Sequence, residues 1–289
     1  MIPPFLRAFP RRVVVFNPTG RYAARQVAAM REAGTPLVAG IALGKGGGTL
    51  DGLPLLDSLR ELDTPADAAI LYTPPEGTGA AIRQCAAAGI ATIVAAAEYV
   101  PLHDTLDAAQ AARAAGSWLV GPNTLGLCVP GQGLLGSVAP SFCMPGRVAL
   151  LGRSGTLTLT VARLLTAAGI GQRIALHLGG DGVIGRNPHE YLPALRDDPE
   201  TAAVLYCGEI GGDKEYALAE ALAGFPKPLV ATIAGRHAPA ERQMGHAGAL
   251  IGHAHESAAA KLAALAAAGA HAAPTPYDAI DILKGLLPA

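Results

Sequence analysis

The segment 242–250 holds the residue of this 289-residue chain whose surroundings best suit group-transfer chemistry. His246 stands between Gly245 and Gly248, with few bulky neighbours in sequence. An imidazole acts as a base and a nucleophile near neutral pH, and flanking glycines permit close approach to other groups. We therefore interpret His246 as a candidate catalytic histidine on a loop that can move. A histidine that is merely part of the surface or core is the alternative.

Two strand ends in the second half of the chain could assist such a histidine. Glu209 lies among glycines in the sequence CGEIGG at 207–212. It could accept an imidazole N–H and leave the other ring nitrogen to attack phosphorus; an exposed loop carboxylate is the alternative. Ser154, Gly155 and Thr156 open a helix, whose first amides and positive dipole end suit an anion. The GxSxG pattern of a nucleophile elbow is absent.

Two turns in the first half suit phosphate. After the first strand, Thr19 is expected to cap a helix, Gly20 permits close approach and Arg21 could add a cation. After the second strand, Lys45 stands among four glycines at 44–48, which predicts a flexible nest of amides with one point charge. The alternatives are a purely structural turn after the first strand and a flexible loop after the second.

The spacing of these turns favours a ligand with well-separated phosphates, such as coenzyme A. The GxGxxG fingerprint of dinucleotide binding is missing, and no acidic residue follows the second strand to hold a ribose. Tyr72, in the third turn, and Ala96, Ala97 and Glu98, in the fourth, could flank an adenine or a pantetheine arm.

Composition excludes several classes of protein. Apolar residues make up 51% and charged residues 16%, and the net charge is −1, which disfavours a nucleic-acid partner. Four scattered cysteines predict neither a zinc site nor a disulfide framework, and we expect no bound metal. We find no secretory signal or membrane span, so we expect a cytoplasmic protein without a membrane partner.

The chain alternates short β-branched runs with Ala-rich stretches, which predicts βαβ units and parallel sheets of the α/β class. We expect strands at 13–16, 37–42, 69–72, 91–95, 118–120, 148–151, 173–177, 202–207, 229–233 and 271–273. We expect helices near 20–33, 77–88, 104–115, 155–168, 190–196, 214–224, 257–268 and 277–286. A Gly- and Pro-rich segment predicts two doubly wound domains at 1–125 and 147–289, connected by 126–146.

Together these segments resemble the α-subunit of succinyl-CoA synthetase and the related nucleoside-diphosphate-forming acyl-CoA synthetases. The resemblance runs from about residue 12 to 287. It is carried by TG at 19–20, GKGG at 44–47, GPN at 121–123, RSGTLT at 153–158, GGD at 179–181, GEIGG at 208–212 and MGHAGA at 244–249. It implies a Rossmann-like CoA-binding domain followed by a flavodoxin-like ligase domain.

The resemblance also implies roles for individual residues. His246 would be the phosphohistidine, Glu209 its supporting carboxylate, and the helix start at 154–156 the phosphate cradle. Coenzyme A would contact residues 19–22, Lys45 and the 96–98 turn, and Asn123 would belong to the acyl site. An ATP-grasp β-subunit would supply ATP or GTP with Mg²⁺, so the enzyme would be a hetero-oligomer that is inert without its partner.

This chain departs from the family pattern near the acid and CoA sites. The family's GFTGxxG becomes NPTGRYA, which puts Tyr22 and Ala23 where smaller residues are usual, and Leu159 replaces a tyrosine. The acid could therefore be succinate, in the tricarboxylic acid cycle, or another carboxylic acid such as malate. A ligase-derived CoA-binding or assembly protein and a Rossmann oxidoreductase are the alternatives; the missing fingerprint speaks against the second.

Overall fold

In a computed structural model, the structure describes residues 2–238 and 249–287, which form two compact units. The first unit consists of Pro3–Val138 and Val183–Arg186. The second contains Ala139–Gly182 and the described residues from 187 onward.

The strands of the first unit are β1 (Val13–Phe16), β2 (Leu37–Ile41), β3 (Thr49–Leu50), β4 (Leu53–Leu56), β5 (Ala68–Leu71), β6 (Thr92–Ala95), β7 (Trp118–Val120), β8 (Gly126–Val129) and β9 (Gly133–Gly136). One sheet has the order β3-β4-β2-β1-β5-β6-β7, and its strands are parallel except for the β3–β4 pair. Without the short β3 this is the order 3-2-1-4-5-6 of a Rossmann sheet. Its central strands are buried along their whole length, as a sheet covered on both faces requires.

The helices of the first unit are α1 (Pro4–Arg7), α2 (Arg21–Glu32), α3 (Pro75–Ala87) and α4 (Leu102–Ala114). Strands β8 and β9 form an antiparallel hairpin. The Thr35 hydroxyl, just beyond α2, donates to the Leu134 carbonyl at 2.7 Å and accepts from the Leu134 amide at 3.0 Å. These two bonds fasten the hairpin to the rest of the unit.

The second unit has the strands β10 (Pro145–Gly152), β11 (Gln172–His177), β12 (Ala203–Glu209), β13 (Leu229–Ala234) and β14 (His271–Ala272). Its helices are α5 (Gly155–Ala167), α6 (Leu192–Asp197), α7 (Lys214–Ala221), α8 (Ala258–Ala267) and α9 (Pro276–Leu286). The five strands run parallel in the order β14-β13-β12-β10-β11. This is the 2-1-3-4-5 order of a flavodoxin-like sheet.

The predicted fold class is therefore confirmed. Every expected strand and helix is present, with ends within three residues of the prediction. Apart from short 3₁₀ helices, the elements that we did not expect are α1, the β3–β4 pair and the β8–β9 hairpin. The hairpin lies inside the segment predicted to be a connection. Within residues 2–238 and 249–287, no helix is both long and apolar enough to cross a membrane.

Candidate functional site

A pocket of about 530 Å³ lies in the first unit where the strand order reverses between β1 and β5. Ligands of open parallel sheets bind at such switch points, outside the carboxyl ends of the strands. The turns after β1, β5 and β6 provide the lining: Asn17, Thr19, Gly20, Arg21, Tyr22, Ala23, Tyr72, Thr73, Pro74, Ala96 and Ala97. Most of the residues expected to contact coenzyme A are therefore brought together in one cavity.

The turn after β1 is shaped by its backbone. Asn17 adopts a left-handed φ of 51°, which asparagine tolerates better than most residues. A Cβ at Gly40 would lie 2.5 Å from the Pro18 ring, so glycine in β2 lets the turn pack directly on the sheet. Helix α2 then begins with Gly20 at its N-cap and no side-chain cap. The prediction that Thr19 caps this helix is therefore wrong.

The Thr19 hydroxyl instead accepts a hydrogen bond from the Lys45 ammonium at 2.6 Å. Because β1 and β2 are neighbours, the ends of both strands lie side by side and their turns meet. The glycine turn that carries Lys45 is not the open amide nest that the sequence suggested. The amides of Lys45 and Gly46 both donate to the Asp57 carboxylate, at 3.0 and 2.9 Å, so that expectation is corrected.

Two tyrosines form one wall of the pocket. The rings of Tyr22 and Tyr72 meet edge to face, with centroids 5.8 Å apart. Tyr22 is 54% exposed, whereas the Tyr72 hydroxyl lies 3.3 Å from the Ser137 hydroxyl and burial raises its pKa. The pair gives the pocket a broad apolar surface with one exposed ring.

The turn after β6 places the remaining predicted residues unequally. Ala96 and Ala97 line the pocket, whereas Glu98 is exposed and is not among the lining residues. Asn123, with a left-handed φ of 54°, donates its backbone N–H to the Ala97 carbonyl at 2.7 Å. The predicted acyl-site residue therefore lies directly beside the pocket's last turn.

The second unit has an ion pair at its own switch point, between β10 and β12. Arg153, just after β10, donates to the Glu209 carboxylate at 2.9 Å, and both side chains are almost fully buried. The same guanidinium donates to the carbonyls of Gly179 and Asp181 at 3.0 and 3.1 Å. Arg153, the first residue of the RSGTLT motif, thus fixes the Glu209 carboxylate.

Helix α5 begins beside this ion pair. Ser154 is its N-cap, and its hydroxyl accepts from the Leu157 amide at 3.4 Å. The amides of Gly155 and Thr156 belong to the first turn, where a helix provides no internal acceptor. The buried His177 ring donates to the Arg153 carbonyl at 2.9 Å and steadies the backbone at the helix start.

Two lysines lie near Glu209. Lys261, fully buried, donates to the backbone carbonyls of Glu209 and Gly211 at 3.0 and 2.5 Å and to the Glu215 carboxylate at 2.6 Å. Lys214 donates to the Gly182 carbonyl, and burial lowers its pKa to about 8. Arg153 therefore binds the side-chain oxygen of Glu209 at the end of β12, and Lys261 binds its main-chain oxygen.

His246 and its flanking glycines lie outside the described residues, so its predicted role stays a prediction. Among the residues that are described, no group of three or more histidine, cysteine, aspartate or glutamate side chains could hold a metal ion.

Comparison with protein families assigns both units. A model described as a CoA binding domain matches residues 12–99, and a model described as CoA-ligase matches residues 151–271. The first match contains every turn that lines the pocket. The second contains both the Arg153–Glu209 pair and the Lys261 contacts.

Solved structures share the fold. ATP citrate lyase from Methanothrix soehngenii, in complex with citrate and coenzyme A, superposes with a TM-score of 0.84 at 22% identity, over 96% of this chain and 51% of that one. A dinucleotide-forming acetyl-coenzyme A synthetase from Ca. Korarchaeum cryptofilum gives 0.78 at 20% identity, over 96% and 61% of the two chains. This chain thus spans only about half to three-fifths of those longer proteins.

Curated relatives match from end to end. The α-subunit 2 of an ADP-forming succinate–CoA ligase from Archaeoglobus fulgidus is 38% identical over 278 residues, covering 96% of this chain and 97% of the relative. Subunit SauD of the ADP-forming sulfoacetate-CoA ligase from Bilophila wadsworthia is also 38% identical, over 283 residues and the same shares of both chains. The chain therefore belongs to the succinyl-CoA synthetase α-subunit family of nucleoside-diphosphate-forming acyl-CoA synthetases.

Proposed function

We propose that this chain is the CoA-binding α-subunit of a nucleotide-dependent acid–CoA ligase that works with an ATP-grasp β-subunit. The observation that carries the proposal is the pocket at the first switch point. The turns that the family resemblance assigns to coenzyme A line it or contact its lining residues. Two family models and end-to-end similarity to ligase subunits support the same reaction class.

Coenzyme A would lie across the turns after β1, β2 and β6. The Lys45 ammonium and the Thr19 hydroxyl, already 2.6 Å apart, would hold a phosphate, with Arg21 as a further cation. The exposed Tyr22 ring offers an apolar face to the adenine or the pantetheine arm. Because Asn123 is bonded to the Ala97 turn, it would meet the acyl end of the ligand.

The chemistry would pass through His246. On the partner subunit, one imidazole nitrogen attacks the γ-phosphorus of ATP or GTP, held with Mg²⁺, and the nucleoside diphosphate leaves. The acid's carboxylate oxygen then takes the phosphoryl group, which regenerates the imidazole and forms an acyl phosphate. The thiol of coenzyme A attacks the acyl carbon, releasing inorganic phosphate and its own proton. A carboxylate is a poor electrophile until it is phosphorylated, so the acid must be activated before the thiol can attack it.

Glu209 would orient the imidazole in this relay. Its carboxylate is held by Arg153 and its carbonyl by Lys261, so it presents a fixed acceptor to a histidine N–H. The helix start at 154–156 would bind the phosphoryl oxygens through first-turn amides and the positive dipole end.

The acid is proposed only as a small carboxylic acid. Relatives of equal similarity are named for succinate and for sulfoacetate, and the replacement at Leu159 removes a phenol near the acyl site. We also propose a cytoplasmic location, which four free cysteines favour because disulfides are rare in a reducing compartment.

The test is co-expression with an ATP-grasp β-subunit from the same genome, followed by incubation with γ-labelled ATP. We expect an acid-labile, alkali-stable label on this chain that disappears in His246→Ala and persists in the matched control His237→Ala. A thioester assay with succinate, malate and sulfoacetate then identifies the acid.

The outcomes separate the alternatives. Absence of the label from the wild-type complex would reject the phosphohistidine mechanism. Binding of coenzyme A without label or thioester formation would favour a ligase-derived CoA-binding protein. Binding of a nicotinamide nucleotide in place of coenzyme A would revive the oxidoreductase alternative.

A further inference from the structure

The turn between β2 and β3 is held in place by the chain itself. The Lys45 amide donates to the Ala42 carbonyl at 3.0 Å, and the Gly47 amide to the Leu55 carbonyl at 3.0 Å. In return the Leu55 amide donates to the Gly48 carbonyl at 2.9 Å. This turn is therefore hydrogen-bonded to β4 and is not a flexible loop.

Asp57 completes the turn from the far end of β4. One carboxylate oxygen accepts from the amides of Lys45 and Gly46, and these bonds, led by the one from Gly46, lower the pKa of Asp57. A Cβ at Gly46 would lie 2.7 Å from the other carboxylate oxygen, so only glycine leaves room for this approach. The aspartate occupies the position that a bound phosphate takes in an open amide nest.

The Lys45 side chain leaves this turn toward the pocket, where its ammonium bonds the Thr19 hydroxyl. A free lysine side chain loses up to about 2 kcal/mol of rotamer entropy when it is immobilised on a ligand. Lys45 loses less of this rotamer entropy on binding, because its backbone is already fixed and its ammonium is already directed at a pocket-lining residue.

We propose that Asp57 is a positioning residue that occupies the amide nest and thereby aims Lys45 at a phosphate of coenzyme A. This inference rests on the proposed CoA binding and goes beyond it by stating how the phosphate is recognised. Recognition at this turn is by ammonium and hydroxyl, not by backbone amides. The negative charge of Asp57, although close to an anion site, therefore strengthens binding.

The experiment is calorimetric titration of the full chain with coenzyme A for wild type, Asp57→Ala, Lys45→Met and the double variant. Losing charge-assisted bonds to two amides should weaken binding about tenfold in Asp57→Ala. Because Asp57 acts through Lys45, the double variant should bind no more weakly than Lys45→Met alone. Asp63→Ala, which removes an equal charge from an exposed position, is the matched control and should bind as wild type.

Three results would overturn the inference while leaving the proposed function intact. Asp57→Ala could bind as tightly as wild type or more tightly, as simple charge repulsion predicts. The effects of the two single variants could multiply in the double variant. Asp63→Ala could weaken binding as much as Asp57→Ala. Failure of the wild-type chain to bind coenzyme A would reject the proposed function, and the inference with it. Circular dichroism melts of each variant exclude unfolding as the cause.

Discussion

Replacing Lys261 with methionine tests how the end of β12 is held. The Lys261 side chain is fully buried and bonds the Glu215 carboxylate and the carbonyls of Glu209 and Gly211. The other oxygen of Glu215 accepts from the Tyr206 hydroxyl at 2.6 Å, and Glu215 is equally buried. Methionine has a similar length but no donor, so three oxygens lose their bonds in one substitution.

The expected cost follows from these contacts. Removing one partner of a buried ion pair costs about 3–5 kcal/mol, because the remaining charge is stranded. Each of the two carbonyls that lose their donor adds about 0.5–1.5 kcal/mol, which is about 1–3 kcal/mol for both. We therefore expect Lys261→Met to lose about 4–8 kcal/mol, a large part of the roughly 5–15 kcal/mol that stabilises a domain.

A triple variant separates the ion pair from the carbonyls. Lys261→Met with Glu215→Leu and Tyr206→Phe removes the stranded carboxylate and hydroxyl and leaves only the two carbonyls without their donor. The loss should fall to about 1–3 kcal/mol. The triple variant, although it carries more substitutions, should therefore be more stable than the single one.

Hydrogen–deuterium exchange of β12 and β13 peptides measures this free energy without interference from the first unit. A loss below about 1 kcal/mol in Lys261→Met would refute the reasoning, since it would mean that water reaches the stranded groups. A triple variant less stable than the single one would refute it too.

Three further predictions concern the second unit. Burial lowers the pKa of Lys214 to about 8 from 10.5, so between pH 8 and 10.5 the unfolded chain binds more protons than the folded one. The urea midpoint of wild type, compared with that of Lys214→Met, should therefore rise from pH 8 to 10. A falling midpoint would contradict the lowered pKa. Burial raises the pKa of Cys207 to about 12, so iodoacetamide at pH 8 should alkylate it only after unfolding, as peptide mass mapping can show. Gly152→Ala would place a Cβ 1.9 Å from the Thr158 hydroxyl and should cost about 1–3 kcal/mol in thermal unfolding, whereas Gly182→Ala, which meets no atom within 4 Å, should cost much less.

Periodicity predicted the fold well because parallel strands are short apolar runs and the helices between them are long. It missed the β8–β9 hairpin, whose strands both begin with glycine and show no alternation of polar and apolar residues. The hairpin is stabilised from a distance, by Thr35, which is 99 residues away from Leu134 in sequence. Local pattern carries no trace of such a contact.

The sequence predicted which types of residue form the candidate sites, but not which residues contact one another. Lys45 was expected to act with its own glycine amides, yet Asp57, eleven residues beyond Gly46, takes those amides because β4 returns alongside β2. Likewise Arg153 meets Glu209 only because β10 and β12 are neighbours in the sheet. Strand order decides both contacts, and residue spacing does not reveal it.

At both switch points, polar groups of the chain fix the position of a charged group beside the predicted site. At the first, Asp57 takes two amides and Lys45 is aimed at Thr19. At the second, Arg153 holds the Glu209 side chain and Lys261 its carbonyl. Buried ion pairs contribute little net stability after desolvation, so stability alone is a weak reason for the buried Arg153–Glu209 pair. In the proposed relay, fixing the Glu209 carboxylate in advance is the stronger reason, since positioning that is complete in the free protein costs nothing at binding.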